Sequence, residues 1–405
     1  MPRAIMSRPW CLKLVCGLGI TFGCRTPSPG TAVQATTPDQ GAAAEFRMGL
    51  NDVSILFPIA DEQDLARLPR LSDSGERGPY IDAKAMDKIG ALAFNADNHA
   101  GSTKGLRSLN PKFYVPIAVR VDPCSPQITE DDSQCQRQLR IVWQEDNIGL
   151  GGDAGDNALH TIYQLTPDEF TSLIKGLARL KSAAPFDYTA APLAPHPVIA
   201  KEKIKGPYAQ GVLSLVKKYA GRSNLVQVAF ALVTVRDEQW VFGLLDTSNG
   251  KITTQKLPTV SKPIQIVDFQ FQDSASIVPT PPFAAKDSLA AYAEAGEWTA
   301  ATVNTLARIE NPRLNNTQTT DCTSCHLAAG ARLDIASTLA GGDRAADDFK
   351  SSHWNLSSAN ILPLERQSIH NFSYLGEFAS INSRTVNESA LVADWINTHI
   401  PLSKP

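Results

Sequence analysis

The sequence predicts an α+β protein in which a mainly antiparallel β region with packed helices is followed by a small all-helical domain. Three observations predict it. Runs rich in β-branched and aromatic residues recur between residue 45 and about 280. Two amphipathic helices are interleaved with those runs, at 167–180 and 208–221. Beyond the proline-rich stretch VPTPPFAAK at 278–286 the chain turns alanine-rich and helical. At 405 residues and 43% hydrophobic content, the chain is long enough for two or three cores.

The first 24 residues read as an address. Arg3, Arg8 and Lys13 precede the apolar run LVCGLGITFG, which is too short to span a bilayer and has the anatomy of a secretory signal. The run ends at Gly23-Cys24, which resembles the lipobox of bacterial lipoproteins. That resemblance implies export, cleavage and lipidation of Cys24, with Thr21 and Phe22 departing from the preferred residues. Residues 25–44 are Pro, Thr, Gly and Ala with almost no large apolar side chain. Such a segment buries no core and reads as a flexible tether.

The region 45–280 justifies its elements one by one. VSILFPIA at 53–60 and the pair FYVPIAVRV and QLRIVWQE are strands by composition, and HTIYQL at 160–165 follows them. Thr166-Pro167-Asp168-Glu169 is a capping box with proline in the first turn. It opens a helix whose Phe170, Leu173, Ile174, Leu177 and Leu180 share one face. The order then repeats: YAQGVLSLVKKYAG is helical, LVQVAFALVTV and WVFGLLD are paired strands, and IQIVDFQFQD alternates as a half-buried strand. The repeat allows two β-rich lobes.

Charge and motifs exclude several function classes. The 38 basic and 41 acidic residues give a net charge of −3 without a basic patch, so nucleic acid is not an expected partner. Asp153 and Asp156 in GLGGDAGDN match neither an EF-hand nor a phosphate loop. No serine-hydrolase elbow, zinc-protease or dinucleotide motif occurs. His99, His160 and His196 stand apart from one another and from any cysteine, and read as surface or hydrogen-bonded histidines.

Of seven cysteines, Cys11 and Cys16 fall in the signal and Cys24 at its end, which leaves four for the exported fold. Cys124 and Cys135 bracket a polar loop between two strands, and a disulfide there closes a hairpin. Cys322 and Cys325 are followed at once by His326 in TTDCTSCHLAAG.

This motif resembles the haem attachment site of c-type cytochromes, and the terminal helix NESALVADWINTHI resembles the last helix of the class I members. The helix is expected to open at Asn387 or Glu388 and to bury Leu391, Val392, Trp395 and Ile396. The resemblance implies a cytochrome c-like domain over 287–405 with one covalent haem c on Cys322 and Cys325. His326 is then the proximal iron ligand, a redox protein the partner and electron transfer the role. It also implies a periplasmic or outer-membrane location, with membrane contact through the lipid on Cys24.

The family usually supplies a methionine as sixth ligand, yet no methionine follows Cys322. His370, shortly before the last helix, is the first choice for that position, with His353 and His399 behind it and ligation from the large domain also open. A bis-histidine iron suits electron transfer. An open position would permit peroxidase-like chemistry, which calls for a distal Arg or His; Arg366 and Arg384 are available, and nothing in the sequence places either over the iron. The haem would need apolar walls such as Leu327, Leu333, Ile335, Leu362 and Trp395. Three other chemistries use the same residues: a Cys322–Cys325 disulfide in a non-catalytic envelope module, a zinc site completed by His353 or His370, and a thioredoxin-type redox pair.

Overall fold

A computed structural model of the chain describes residues 46–402 except 60, 99–108, 129–132, 134, 147–156, 234–238, 258–262, 269–277, 280–286, 290–298, 339–344, 358–369 and 376–377. The signal, the tether, Cys24, His99, Asp153, Asp156, Leu362, Arg366 and most of the 278–286 linker lie outside the described residues. Phe46–Pro405 forms one compact unit. The mixed α+β class holds.

The helices are α1 (Leu50–Val53), α2 (Glu62–Leu65), α3 (Ala83–Asn98), α4 (Pro167–Ser182), α5 (Pro197–Glu202), α6 (Pro207–Tyr219), α7 (Ala300–Glu310), α8 (Cys322–Thr338) and α9 (Ser383–His399). The strands are β1 (Ser54–Leu56), a small hairpin β2 (Ser74–Gly75) and β3 (Gly78–Pro79), β4 (Tyr114–Ser125), β5 (Gln136–Glu145), β6 (Ala158–Leu165), β7 (Leu225–Val233), β8 (Gln239–Asp246), β9 (Thr253–Thr254), β10 (Ile264–Asp268), β11 (Val278–Pro279), β12 (Phe372–Leu375) and β13 (Phe378–Ile381).

Nine described strands build a single antiparallel sheet in the order β1-β4-β5-β6-β7-β8-β10-β11, with β9 also on β8. The two repeated sets of strands are thus continuous rather than separate lobes, joined where His160 of β6 pairs with Ala229 of β7. Cys124 at the end of β4 and Cys135 before β5 form the expected disulfide.

Alternation decides what covers each face. One face carries Leu139, Ile141, Trp143, Leu159, Tyr163, Val228, Phe230 and Val241, all buried, and α3 and α4 pack on it. The local signals for α4 were sufficient: the Thr166 hydroxyl accepts the Glu169 N–H and the Glu169 carboxylate accepts the Thr166 N–H at 2.9 Å. Between α1 and α4 lies a buried ion pair, Lys181 Nζ to Asp52 Oδ2 at 2.5 Å, with the Tyr188 hydroxyl donating to the same carboxylate at 2.6 Å.

The C-terminal third covers the opposite face, and here the expected all-helical cytochrome-like domain needs correction. It contains the antiparallel hairpin β12–β13, and its last helix packs on β4 and α1 rather than on helices alone. Tyr374 of β12 donates from its N–H to Gln144 Oε1 of β5 at 3.2 Å, fastening the hairpin to the sheet. Helix α9 begins earlier than expected, because the Asn382 side chain accepts the Thr385 N–H at 2.9 Å as its N-cap. Val392, Trp395 and Ile396 of its apolar stripe are buried in the main core.

Candidate functional site

The Cys-x-x-Cys-His motif opens helix α8, and its placement begins with Asp321. That carboxylate caps the helix, accepting the Ser324 N–H at 2.9 Å and the Ser324 hydroxyl at 2.7 Å. Gln265 of β10 clamps the same turn to the sheet. Its amide donates to Asp321 Oδ1 at 2.8 Å and its carbonyl accepts the Thr323 N–H at 3.0 Å. The first turn of α8 is therefore held against the edge of one sheet face.

Strand register shows what lies beneath it. Directly paired residues project to the same side, so two rows cross the face: Val142, His160, Ala229, Leu244 and, one step along, Ala158, Ala231, Phe242, Gln265. Cys322 and Ala229 both pack against Leu244 and Leu257, which sets Cys322 over the first row. The His326 ring lies 5.1 Å from that of Phe242, over the second. Leu327 is buried in the small core formed there with Trp240, Phe242, Val303 and Leu306.

The middle of both rows is made of alanines. Ala158, Ala229 and Ala231 border His160 on the side toward β8 and give that part of the sheet little height, with Val142 and Ile162 as its other neighbours on the face. Cys322, Cys325, His326 and His160 each keep part of their surface accessible, although burial is the first influence on both thiols and on His160. Deep side chains with residual accessibility face a hollow rather than a filled core.

Burial, and next the Asp321 carboxylate, pushes the Cys322 thiol far up. Burial likewise raises Cys325. Both are free thiols, and both are neutral at pH 7. A thioredoxin-type nucleophile needs the opposite, a thiol lowered toward the thiolate. Burial and then the neighbouring His326 lower His160 to about 3 and His370 to about 4, so both imidazoles are neutral, the form that ligates a metal.

His370 stands just before β12, 6% exposed, edge-on to Trp240 at 5.8 Å. His353 is instead bound to Asp394 of α9 at 2.9 Å, and His399 stacks on Trp395 while its Nδ1 meets the Trp395 carbonyl at 2.8 Å. His196, expected at the surface or hydrogen-bonded, is buried and stacked on Tyr208, and its Nδ1 accepts the Ile199 N–H. His160, which stands apart from any cysteine in sequence, lies in the cross-strand row that contains Leu244, one of the two residues of the cluster Cys322 packs against. Trp395 belongs to the main core, where it carries the Arg137 guanidinium over its ring, and not to the wall beside the motif.

A charge network ties α9 to this end of the sheet. Arg120 and Arg384 bind Glu388 at 3.0 and 2.9 Å, and Arg140 binds Asp122 at 2.5 Å. Arg384 also donates to the carbonyls of Ile309 and Asn315, holding the end of α7 and the loop that leads to the motif. Burial alone would raise Glu388, but Arg384, Arg120 and Arg140 outweigh it and bring the carboxyl down to about 2. Arg384 is therefore a clamp within this network.

Among the described residues no group of three or more His, Cys, Asp or Glu side chains converges on a point where a bare metal ion would sit, and no helix is long and apolar enough to cross a membrane. The donors suit a planar group larger than an ion: two neutral thiols on one helical turn, an imidazole one step on, further imidazoles nearby and a floor of alanines. Comparison of the chain with protein-family models, curated proteins and solved structures finds no match.

Proposed function

We propose that this is an exported, lipid-anchored protein of the bacterial envelope that carries one covalent haem c and passes electrons to a redox partner protein. The observation that carries the reading is the pair of free, neutral thiols of Cys322 and Cys325 beside His326, held over a sheet face whose side chains are too short to fill it. Cys322 and Cys325 would hold the haem by adding each S–H across a vinyl double bond. Sulfur bonds to carbon and the hydrogen to its neighbour, so the addition consumes no oxidant. Thioethers carry no charge and suit a buried place where a thiolate is disfavoured. His326 would supply one axial nitrogen, with a second imidazole from the neighbouring histidines.

Bound haem supplies a one-electron Fe(III)/Fe(II) couple. The chain's own residues do the rest. Leu244, Phe242, Trp240 and Leu327 exclude water, and Gln265 and Asp321 fix the helical turn from which the sulfurs project. The signal and Gly23-Cys24 support export and lipidation at Cys24, and hence a periplasmic or outer-membrane location.

The test is expression of the full chain with the haem c maturation machinery, beside the Cys322→Ala/Cys325→Ala variant. A Soret band and sharp reduced α-band that persist after denaturation, and vanish in the variant, support the reading. A colourless protein from cells that mature a control cytochrome overturns it and leaves an envelope module in which Cys322 and Cys325 pair as a disulfide.

A further inference from the structure

The geometry points to His160, on the central strand of the sheet and far from the motif in sequence, as the residue that completes the iron coordination opposite His326. The inference rests on the proposed haem and adds the identity of the second ligand. Three observations carry it. His160 lies in the same cross-strand row as Ala229 and Leu244, and Cys322 packs against the cluster of Leu244 and Leu257 that Ala229 also touches. Toward β7 its neighbours on that face are Ala229 and Ala231, with Ala158 beside it on β6, while Val142 of β5 and Ile162 of β6 complete its surroundings, so its short neighbours lie on the side of the motif helix. Its surface is partly accessible although it is deep, whereas His370 is packed edge-on against Trp240 and its carbonyl accepts the Ser380 hydroxyl.

A ligand on a central strand is held differently from one on a loop. The backbone of His160 is fixed by ladder hydrogen bonds on both sides, to β5 and to β7. Little conformational freedom is lost when such an imidazole binds, so the six-coordinate state is favoured in both oxidation states. His370 becomes a wall residue, set against Trp240 beside the same hollow.

The experiment uses the full chain matured with haem c, as wild type, His160→Ala, His370→Ala and His160→Met. Covalent haem content on a denaturing gel is read separately from coordination, by electron paramagnetic resonance of the ferric form and by carbon monoxide binding to the ferrous form. The expected result is a low-spin wild type that does not bind carbon monoxide. His160→Ala is expected to keep its covalent haem, become high-spin, bind carbon monoxide and return to low spin with added imidazole. His370→Ala stays low-spin. Should His160→Ala not accumulate, His160→Met keeps a ligand and raises the reduction potential. A wild type that is already high-spin, a loss of low-spin signal in His370→Ala alone, or an unchanged spectrum and potential in His160→Met each overturns the assignment while leaving covalent haem intact. Absence of covalent haem in the wild type overturns both.

Discussion

Replacing Glu388 by glutamine removes one charge from the network that binds α9 to the sheet, and the structure sets the size of the effect. The carboxyl is held at about 2 by Arg384, Arg120 and Arg140 against an ordinary value of 4.5. At ~1.4 kcal/mol per pH unit, ionised Glu388 contributes about 3 kcal/mol to folding at neutral pH. Removing it also leaves Arg384, which is buried, without its anion. The sign follows from the lowered value: the contribution is complete above about pH 4.5 and is lost as pH falls through about 2. Urea unfolding of the wild type and Glu388→Gln across that range is the assay. The wild type should be more stable by about 3 kcal/mol at pH 7, with the difference narrowing steadily below pH 4.5. A difference below ~1 kcal/mol at pH 7, or one that does not change with pH, would refute the reasoning.

Three further outcomes are expected. Lys181→Met should cost about 3 to 5 kcal/mol in the same unfolding assay, because Asp52 is left buried without its cation, while Asp52→Asn/Lys181→Met together should cost less than the sum of the single changes. In protein not loaded with haem, Cys322 and Cys325 should be alkylated at pH 8 more slowly in the folded state than once unfolded. Equal rates in both states would contradict the buried, neutral thiols. Cys124→Ser/Cys135→Ser should lose about 3 kcal/mol of stability, a loss that dithiothreitol reproduces in the wild type and does not deepen in the variant.

What the sequence disclosed depended on whether the signal was local. The capping box at Thr166 and Glu169, the spacing of Cys124 and Cys135 about a polar loop, and the alternation of the β10 segment each lie within a few residues, and each element stands where those residues put it. The hairpin β12–β13 escaped because each strand has only four residues, too short for a period of two to stand out. The start of α9 was misplaced because Asn387 and Glu388 look like a cap, although Asn382 is the residue whose side chain accepts a backbone N–H.

The place of His160 was not legible in the sequence for a topological reason. Only the antiparallel register of β6, β7 and β8 carries it into the row beneath Cys322, and register is a property of pairs of strands. A trace was present all the same. Ala158 flanks His160 at period two, and Ala229 and Ala231 alternate in the next predicted strand, so small residues coincide on one face about a histidine.

The clamp of Gln265 on Asp321 and Thr323 has a consequence for the order of assembly. Every strand that floors the hollow precedes the motif in the chain, so a polypeptide that emerges N-terminus first can complete its sheet before Cys322 arrives. The two thiols then dock onto a finished acceptor surface. An enzyme that modifies Cys322 and Cys325 while the motif is still unfolded would therefore compete with that docking, and the strength of the Gln265 clamp would set how long it has.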